Sequence, residues 1–438
     1  SAPFASISRA RLAVLFMVML VAAAGNTAMQ SVLPAIGARL HIPDVWVSLA
    51  FSWSALLWVL TAPRWARQSD RRGRRQLMVV GLLGFTASML LCGLVLWAGL
   101  AGWLGAGLTF AIFALFRSLY GGFGSAAPPA VQAYVAARTA AEERTKALSL
   151  LASSFGLGTV IGPTLAPFLI FPVVGLSGPL FAFSLIGLVV LIALRLVLPD
   201  DSPTYEVKGR IAPYPSTGGT APPLADDEGA DGETDSEMPQ RLCWHDQPVR
   251  PWNIAGLLGG HAQAMILGVI GFLILDRLHL RATPDLAAAP IGHVLWVGAM
   301  ATLLAQWGLI PILHLAPRTA VLVGSAVAAT GAAIVGLSHS LGAISTGFAI
   351  SALGFGLFRP GFTAGASLSV PRAQQGAVAG QTASINGAAY VAAPAIGVLL
   401  YNWHAGYAFA LIAGICLIIV AWGWNALRTP PCAGVPAR

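Results

Sequence analysis

Three side chains carry charge or titrate within otherwise apolar stretches of this sequence: Arg117, His261 and Arg359. An arginine stays cationic and presents five donors in a planar fork suited to carboxylates, so Arg117 and Arg359 favour an anionic partner. His261 can change charge near neutral pH, which makes it the candidate proton carrier, with Arg117 assigned beside it in that role. Uncharged hydrogen-bonding residues in the neighbouring stretches are Asn26, Gln30, Tyr120, Gln263, Asn386 and Tyr390. Together these residues predict a mostly apolar site with a few placed polar groups, for a small anionic, zwitterionic or neutral amphipathic solute. Trp53, Gln132, Gln306 and Gln381 extend the same set. For each, a hydrogen bond between helices is the alternative use.

Absent residue types narrow the chemistry further. None of the 17 Asp and Glu falls in the middle of an apolar run, so a permanently cationic solute has no natural counter-charge. Asp276 closes one run, and Asp44 is placed to cap another. The four cysteines (92, 243, 416 and 432) show no metal-ligand spacing. No glycine-rich nucleotide loop ending in Lys-Ser or Lys-Thr is present, and no paired acids or histidines provide nucleophilic or acid–base machinery. The expectation is no enzyme activity, no cofactor and no metal.

The elements that must position these residues are membrane helices. Of 438 residues, 56% are apolar and 10% charged, with a mean hydropathy of +0.75; a soluble domain carries about 25% charged residues. Apolar runs long enough to cross about 30 Å of hydrocarbon lie near 12–36, 46–63, 77–98, 106–130, 147–171 and 178–198. A second set lies near 252–275, 291–315, 319–337, 341–365, 376–401 and 405–426. The first is too long for a signal peptide. No alternating strand pattern appears, and only helices or closed barrels satisfy the backbone in lipid. Arginines between 64 and 75, with Arg138, Arg144, Lys146, Arg318 and Arg372, crowd one set of loops, whereas Arg39, Arg277 and Arg281 lie on the other. That bias predicts both termini in the cytoplasm. The net charge of +8 therefore sets topology and does not mark a nucleic-acid surface.

Eleven of the 17 acids fall between residues 200 and 246. The segment 199–250 reads as an acidic, flexible cytoplasmic linker between a bundle at 1–198 and another at 251–438. The two blocks resemble each other internally. Gly122-Phe-Gly recurs as Gly354-Phe-Gly, and the interval from Arg144 to Pro163 recurs from Gln375 to Pro394. Gly25-Asn26 is matched to Gly260-His261. The fold class expected is an all-α membrane protein of twelve helices in two pseudo-symmetric six-helix bundles, with a site at mid-membrane between them.

Three motifs sharpen this reading. Ala66-Arg-Gln-Ser-Asp70-Arg71-Arg-Gly73-Arg74-Arg75 resembles the loop signature of the major facilitator superfamily, G-x-x-x-D-[RK]-x-G-[RK]-[RK], with Ala66 in place of glycine. Gly73 permits a tight turn, and Asp70 can cap a helix or pair with an arginine. Arg117-Ser-Leu-Tyr120-Gly-Gly-Phe-Gly is similar to the fourth-helix motif of that family. Gly158-Thr-Val-Ile-Gly162-Pro163 resembles its antiporter motif, where glycines four apart let helices touch and proline kinks the span. The resemblance implies a secondary active transporter close to the twelve-span drug:proton exporters. It would work as a monomer in a bacterial inner membrane, by rocking alternating access, on a small-molecule substrate with protons as coupling ion. Asp70, Arg71, Gly73, Arg74, Arg75, Gly158, Gly162 and Pro163 would form its conformational gate. Uptake or exchange of an organic anion by the same fold is the alternative.

Overall fold

The computed structural model describes residues 7–136, 138, 141–199, 246–370 and 375–427. Most of the expected linker, together with Arg372, lies outside them. The first block contains α1 (Arg9–Arg39), α2 (Asp44–Arg72), α3 (Arg74–Leu100), α4 (Ala106–Gly122, continued as Ala127–Ala136), α5 (Ala141–Leu165) and α6 (Gly178–Val197). The second contains α7 (Arg250–Arg277), α8 (Ala288–Leu303, continued to Leu313), α9 (Pro317–Leu337), α10 (Leu341–Leu368), α11 (Gln375–Trp403) and α12 (Ala405–Ala426). Among the described residues these twelve helices form the whole architecture, without named strands. Eleven are long and apolar enough to cross a membrane. The remaining helix, α5, packs along α1 in the same bundle.

Local sequence explains where helices stop and bend. The fifth span ends at Leu165, earlier than expected, and passes into a 3-10 turn over Ala166–Leu169. Pro167 cannot donate to the ladder and pushes the residue before it out of the helical region. In α4 a 3-10 turn, Gly124–Ala126, separates a glycine-rich segment from Pro128-Pro129. A π-helical turn, Leu304–Leu309, interrupts α8 just before Pro311. Gly73 joins α2 to α3 at φ 87°, a conformation that side-chain-bearing residues rarely adopt, so the motif's glycine makes the tight turn expected of it. Asp44 differs from expectation. It is the first residue of α2 rather than its cap, Pro43 holds the cap position, and the carboxylate reaches Arg281 of the other block.

Packing repeats between the halves. α1 lies against α5 and α6 as α7 lies against α11 and α12, and α3 lies against α4 and α6 as α9 lies against α10 and α12. The halves meet where α2 packs on α11 and α5 on α8. Helix ends reveal the register. Arg39-Leu-His41-Ile and Arg277-Leu-His279-Leu close α1 and α7, with the histidines left-handed at φ 55° and 56°. The Ile42 and Leu280 amides bond to carbonyls five residues back, at 2.9 and 2.8 Å, the same helix-ending turn in each half. This offset of 238 differs by three residues from the matching of Gly25 to Gly260, which had pairs of small and polar residues alone to guide it.

Candidate functional site

At the seam between the halves, α1, α5, α7, α8 and α10 enclose a cavity of about 110 Å³. Sites for drug-sized ligands run to about 300–1,000 Å³, so the cavity is contracted in this conformation. Its polar wall comprises Gln30 from α1, Gln263 from α7, Gln306 from the π turn of α8 and Arg359 from α10. Thr27, Thr159 and Thr302 add hydroxyls, while Ile266, Leu267, Phe348 and Phe355 provide apolar surface. The threonines were missed in the sequence. Their signal was spacing: Thr27 stands three residues before Gln30, and Thr302 four before Gln306, so each pair shares a helix face.

Arg359 is 5% exposed and donates from Nε to Asn386 Oδ1 at 3.2 Å. Tyr390, one turn further along α11, places its hydroxyl in hydrogen-bonding contact with the same guanidinium. The structure therefore brings Arg359, Asn386 and Tyr390 together, with Arg359 the member that reaches the cavity wall. Outside the acidic segment, every Asp and Glu of the sequence lies at or near a helix end or in a loop.

A second guanidinium–amide–phenol cluster fills the first half. Arg117 Nη2 donates to Asn26 Oδ1, joining α4 to α1. Its guanidinium lies 4.4 Å from the centre of the Tyr120 ring and 5.9 Å from that of Phe51. Tyr120 in turn packs on Trp58 and Phe85. Arg117 is 1% exposed, and neither it nor Asn26 nor Tyr120 lines the seam cavity. His261 also lies off that wall, with Nδ1 in a 2.7 Å hydrogen bond to Leu257 O of its own helix. It is two residues from Gln263, and two residues turn a helix by about 200°, so the pair cannot share a face.

Of the remaining polar residues, Gln381 accepts from Asn253 Nδ2 at 3.1 Å. Trp53 donates to Ser118 Oγ and lines a separate groove of about 750 Å³ between α2 and α4. Gln132 is buried in α4.

The expected gate residues occupy helix contacts and turns. Gly158 and Gly162 of α5 bring that backbone against α1: a Cβ at Gly162 would stand 2.2 Å from Ala24 O. Pro163 lines the cavity next to them. Arg74 is buried, and Arg75 Nη2 donates to Arg195 O at the end of α6, at 2.8 Å. The side chains of Asp70 and Arg71 lie outside the described residues.

Comparison with known proteins agrees with this architecture. The Multidrug resistance protein 2 of Bacillus subtilis (strain 168) is 29% identical over 170 residues, 39% of each chain. The Staphyloferrin B transporter of Staphylococcus aureus (strain NCTC 8325 / PS 47) is 27% identical over 205 residues, 45% of this chain and 46% of that one. The chain thus aligns with less than half the length of these relatives. Among solved structures, a bacterial homologue of the human lysosomal transporter Spinster, inward-facing and unoccupied, superposes with a TM-score of 0.70. That likeness covers 97% of this chain and 98% of the other at 14% identity. Residues 15–394 match the profile of the Major Facilitator Superfamily. A twelve-helix bundle folded in two repeats around a seam cavity, matched over that length, belongs to this family of membrane transporters rather than to any class of enzyme.

Proposed function

We propose that the chain is a proton-coupled exporter of a small amphipathic solute, anionic or zwitterionic in preference to cationic. It works as a monomer in a bacterial inner membrane with both termini in the cytoplasm, and it exposes the seam cavity alternately to either side. The observation that carries this reading is the cavity wall itself: Arg359 among Gln30, Gln263 and Gln306, with no acid at mid-helix. A guanidinium in that setting recognises a carboxylate or phosphate through paired, charge-assisted hydrogen bonds. The named relatives, a multidrug resistance protein and a siderophore transporter by their titles, support the outward direction. The arginines between residues 64 and 75 support the orientation, since basic loops stay in the cytoplasm.

The test is flux in vesicles of opposite orientation. Inverted vesicles should accumulate an anionic amphipath when their lumen is acidified, and right-side-out vesicles should not. Accumulation in right-side-out vesicles alone would establish uptake instead. Arg359→Gln should lower transport of an anionic solute by about 100-fold, with much less effect on a neutral one, because a charge-assisted hydrogen bond contributes about 1.5–3 kcal/mol. His261 is the proton carrier of this reading. His261→Gln should flatten the pH dependence of flux while leaving substrate binding intact; an unchanged profile would remove it from the coupling.

A further inference from the structure

The face carrying the α1–α2 and α7–α8 turns, outward in the proposed orientation, is bridged by ion pairs that cross between the halves. Arg281, in the turn after α7, donates from Nη1 and Nη2 to the two oxygens of Asp44, at 3.1 and 2.6 Å. The Asp44 side chain is 6% exposed, and it stands in the first turn of α2, where the helix dipole favours an anion. Arg281 is held in place by Asp276 at the end of α7, which accepts from its Nε and, at 3.2 Å, from its Nη2. Asp276 also accepts from the Tyr401 hydroxyl of α11 at 2.7 Å. A reciprocal pair runs the other way: Arg39 of the first half lies 3.8 Å from Asp285 of the second, with both side chains more than half exposed. The sequence shows why they cross. Each half places Pro-Asp ahead of its second helix, at 43–44 and 284–285, and the acid meets an arginine from the other half.

We propose that Asp44, Asp276, Arg281 and Tyr401 form the outer latch of the transport cycle, and that a proton delivered from outside to the Asp44–Asp276 pair releases it. Two carboxylates share one guanidinium, and only Asp44 belongs to the first half. Protonation of the pair therefore removes charge-assisted hydrogen bonds that either hold Arg281 across the seam or aim it there. Hydrogen bonds from Asp44 and then Asp276 hold the Arg281 guanidinium above its ordinary value, so it stays cationic throughout. The sign follows: the latch is complete while the carboxylates are ionised and weakens as pH falls. Other charged or titratable groups around this cavity are His41 after α1, Arg277 and His279 at the end of α7, His339 before α10 and His404 before α12. Arg277 is bonded to His339 and to Gly336 O, within the second half. Asp276 and Tyr401 are positioning residues, acting through Arg281. This latch rests on the alternating-access part of the proposed function, and not on the direction of transport or on which group carries the transported proton.

The test reads the opening of the outer face directly. Spin labels at Gly105→Cys and Gly342→Cys sit on opposite halves of that face, where an added side chain meets open space. The whole chain, with its native cysteines replaced, is placed in lipid nanodiscs without substrate, and the inter-label distance is followed from alkaline to acidic buffer. A long-distance population should grow as pH falls. Asp44→Asn should show it already in alkaline buffer, raised by about tenfold or more, and should lose most of the pH response. Asp285→Asn, at the exposed pair, should change the distribution far less. Should Asp44→Asn fail to fold, Arg281→Gln carries the same expectation. A distribution in the parent chain that ignores pH overturns the proposal. A response that persists in Asp44→Asn/Asp276→Asn belongs to the surrounding histidines and also overturns it. A protein that imports its solute, yet opens on acidification as described, refutes the export reading and leaves the latch standing.

Discussion

Gly162→Leu should yield a protein with a sharply lowered melting temperature in detergent and no measurable transport, with Gly158→Leu close behind. At Gly162 even the first added carbon would stand 2.2 Å from Ala24 O, 2.3 Å from Thr27 Oγ1 and 2.9 Å from Ala28 N. At Gly158 it would meet Leu20 O at 2.4 Å and Ala23 Cβ at 2.8 Å. These obstacles are mostly the backbone of α1, which cannot turn aside as a side chain can. Replacing glycine in a helix interior ordinarily stabilises by about 0.5–1 kcal/mol. Here overpacking of about 1–3 kcal/mol or more outweighs that gain, and the damage falls on a contact that also positions the cavity wall. Thr27 and Gln30 of α1 and Thr159 and Pro163 of α5 face one another across it. Gly105→Ala, in open space, is the matched control. Retention of the parent melting temperature by Gly162→Leu would mean that α1 and α5 are not in backbone contact.

Asn26→Leu should destabilise by about 3–5 kcal/mol, because it strands a fully buried guanidinium without its amide acceptor. Arg117→Met should be far milder, since an apolar side chain of similar length replaces both the charge and its need for partners. Combining the two should recover most of the stability lost with Asn26→Leu alone, and a thermal-unfolding cycle over the four proteins measures that coupling. Flux then separates the two uses of Arg117. If it couples protons or substrate, Arg117→Met folds well and transports poorly; if it serves only packing, the variant keeps both. Arg117→Lys is not a gentle substitution, because an ammonium cannot reproduce the planar stacking on Tyr120 and Phe51.

The helices were legible in the sequence because lipid leaves no alternative: a run of about 20 apolar residues has only one backbone solution. The duplication was legible as well, but its register was not, because small and apolar residues recur too often in such helices to fix an offset. The Arg-Leu-His endings of α1 and α7 carry that information in chemistry that recurs less often. In the site, residue type found Gln30, Gln263, Arg359, Asn386 and Tyr390. It could not give azimuth, so Asn26, Arg117 and Tyr120 turned out to lie within the first half, and His261 off the cavity wall. Azimuth depends on which neighbours a helix meets, and that is decided by packing far along the chain. Asp44 and Asp276 show the same limit. Each reads as an end-of-helix acid, and only the meeting of the halves makes them partners of one arginine.

The position of that shared arginine has an electrical consequence. Moving one charge through the full thickness of a membrane under 100 mV involves about 2.3 kcal/mol, whereas charges at the helix ends feel little of that drop. Asp44, Asp276 and Arg281 all stand at such ends. Parting them displaces almost no charge through the field, so voltage leaves this step nearly untouched, and acidity alone is the currency in which the outer face is unlocked.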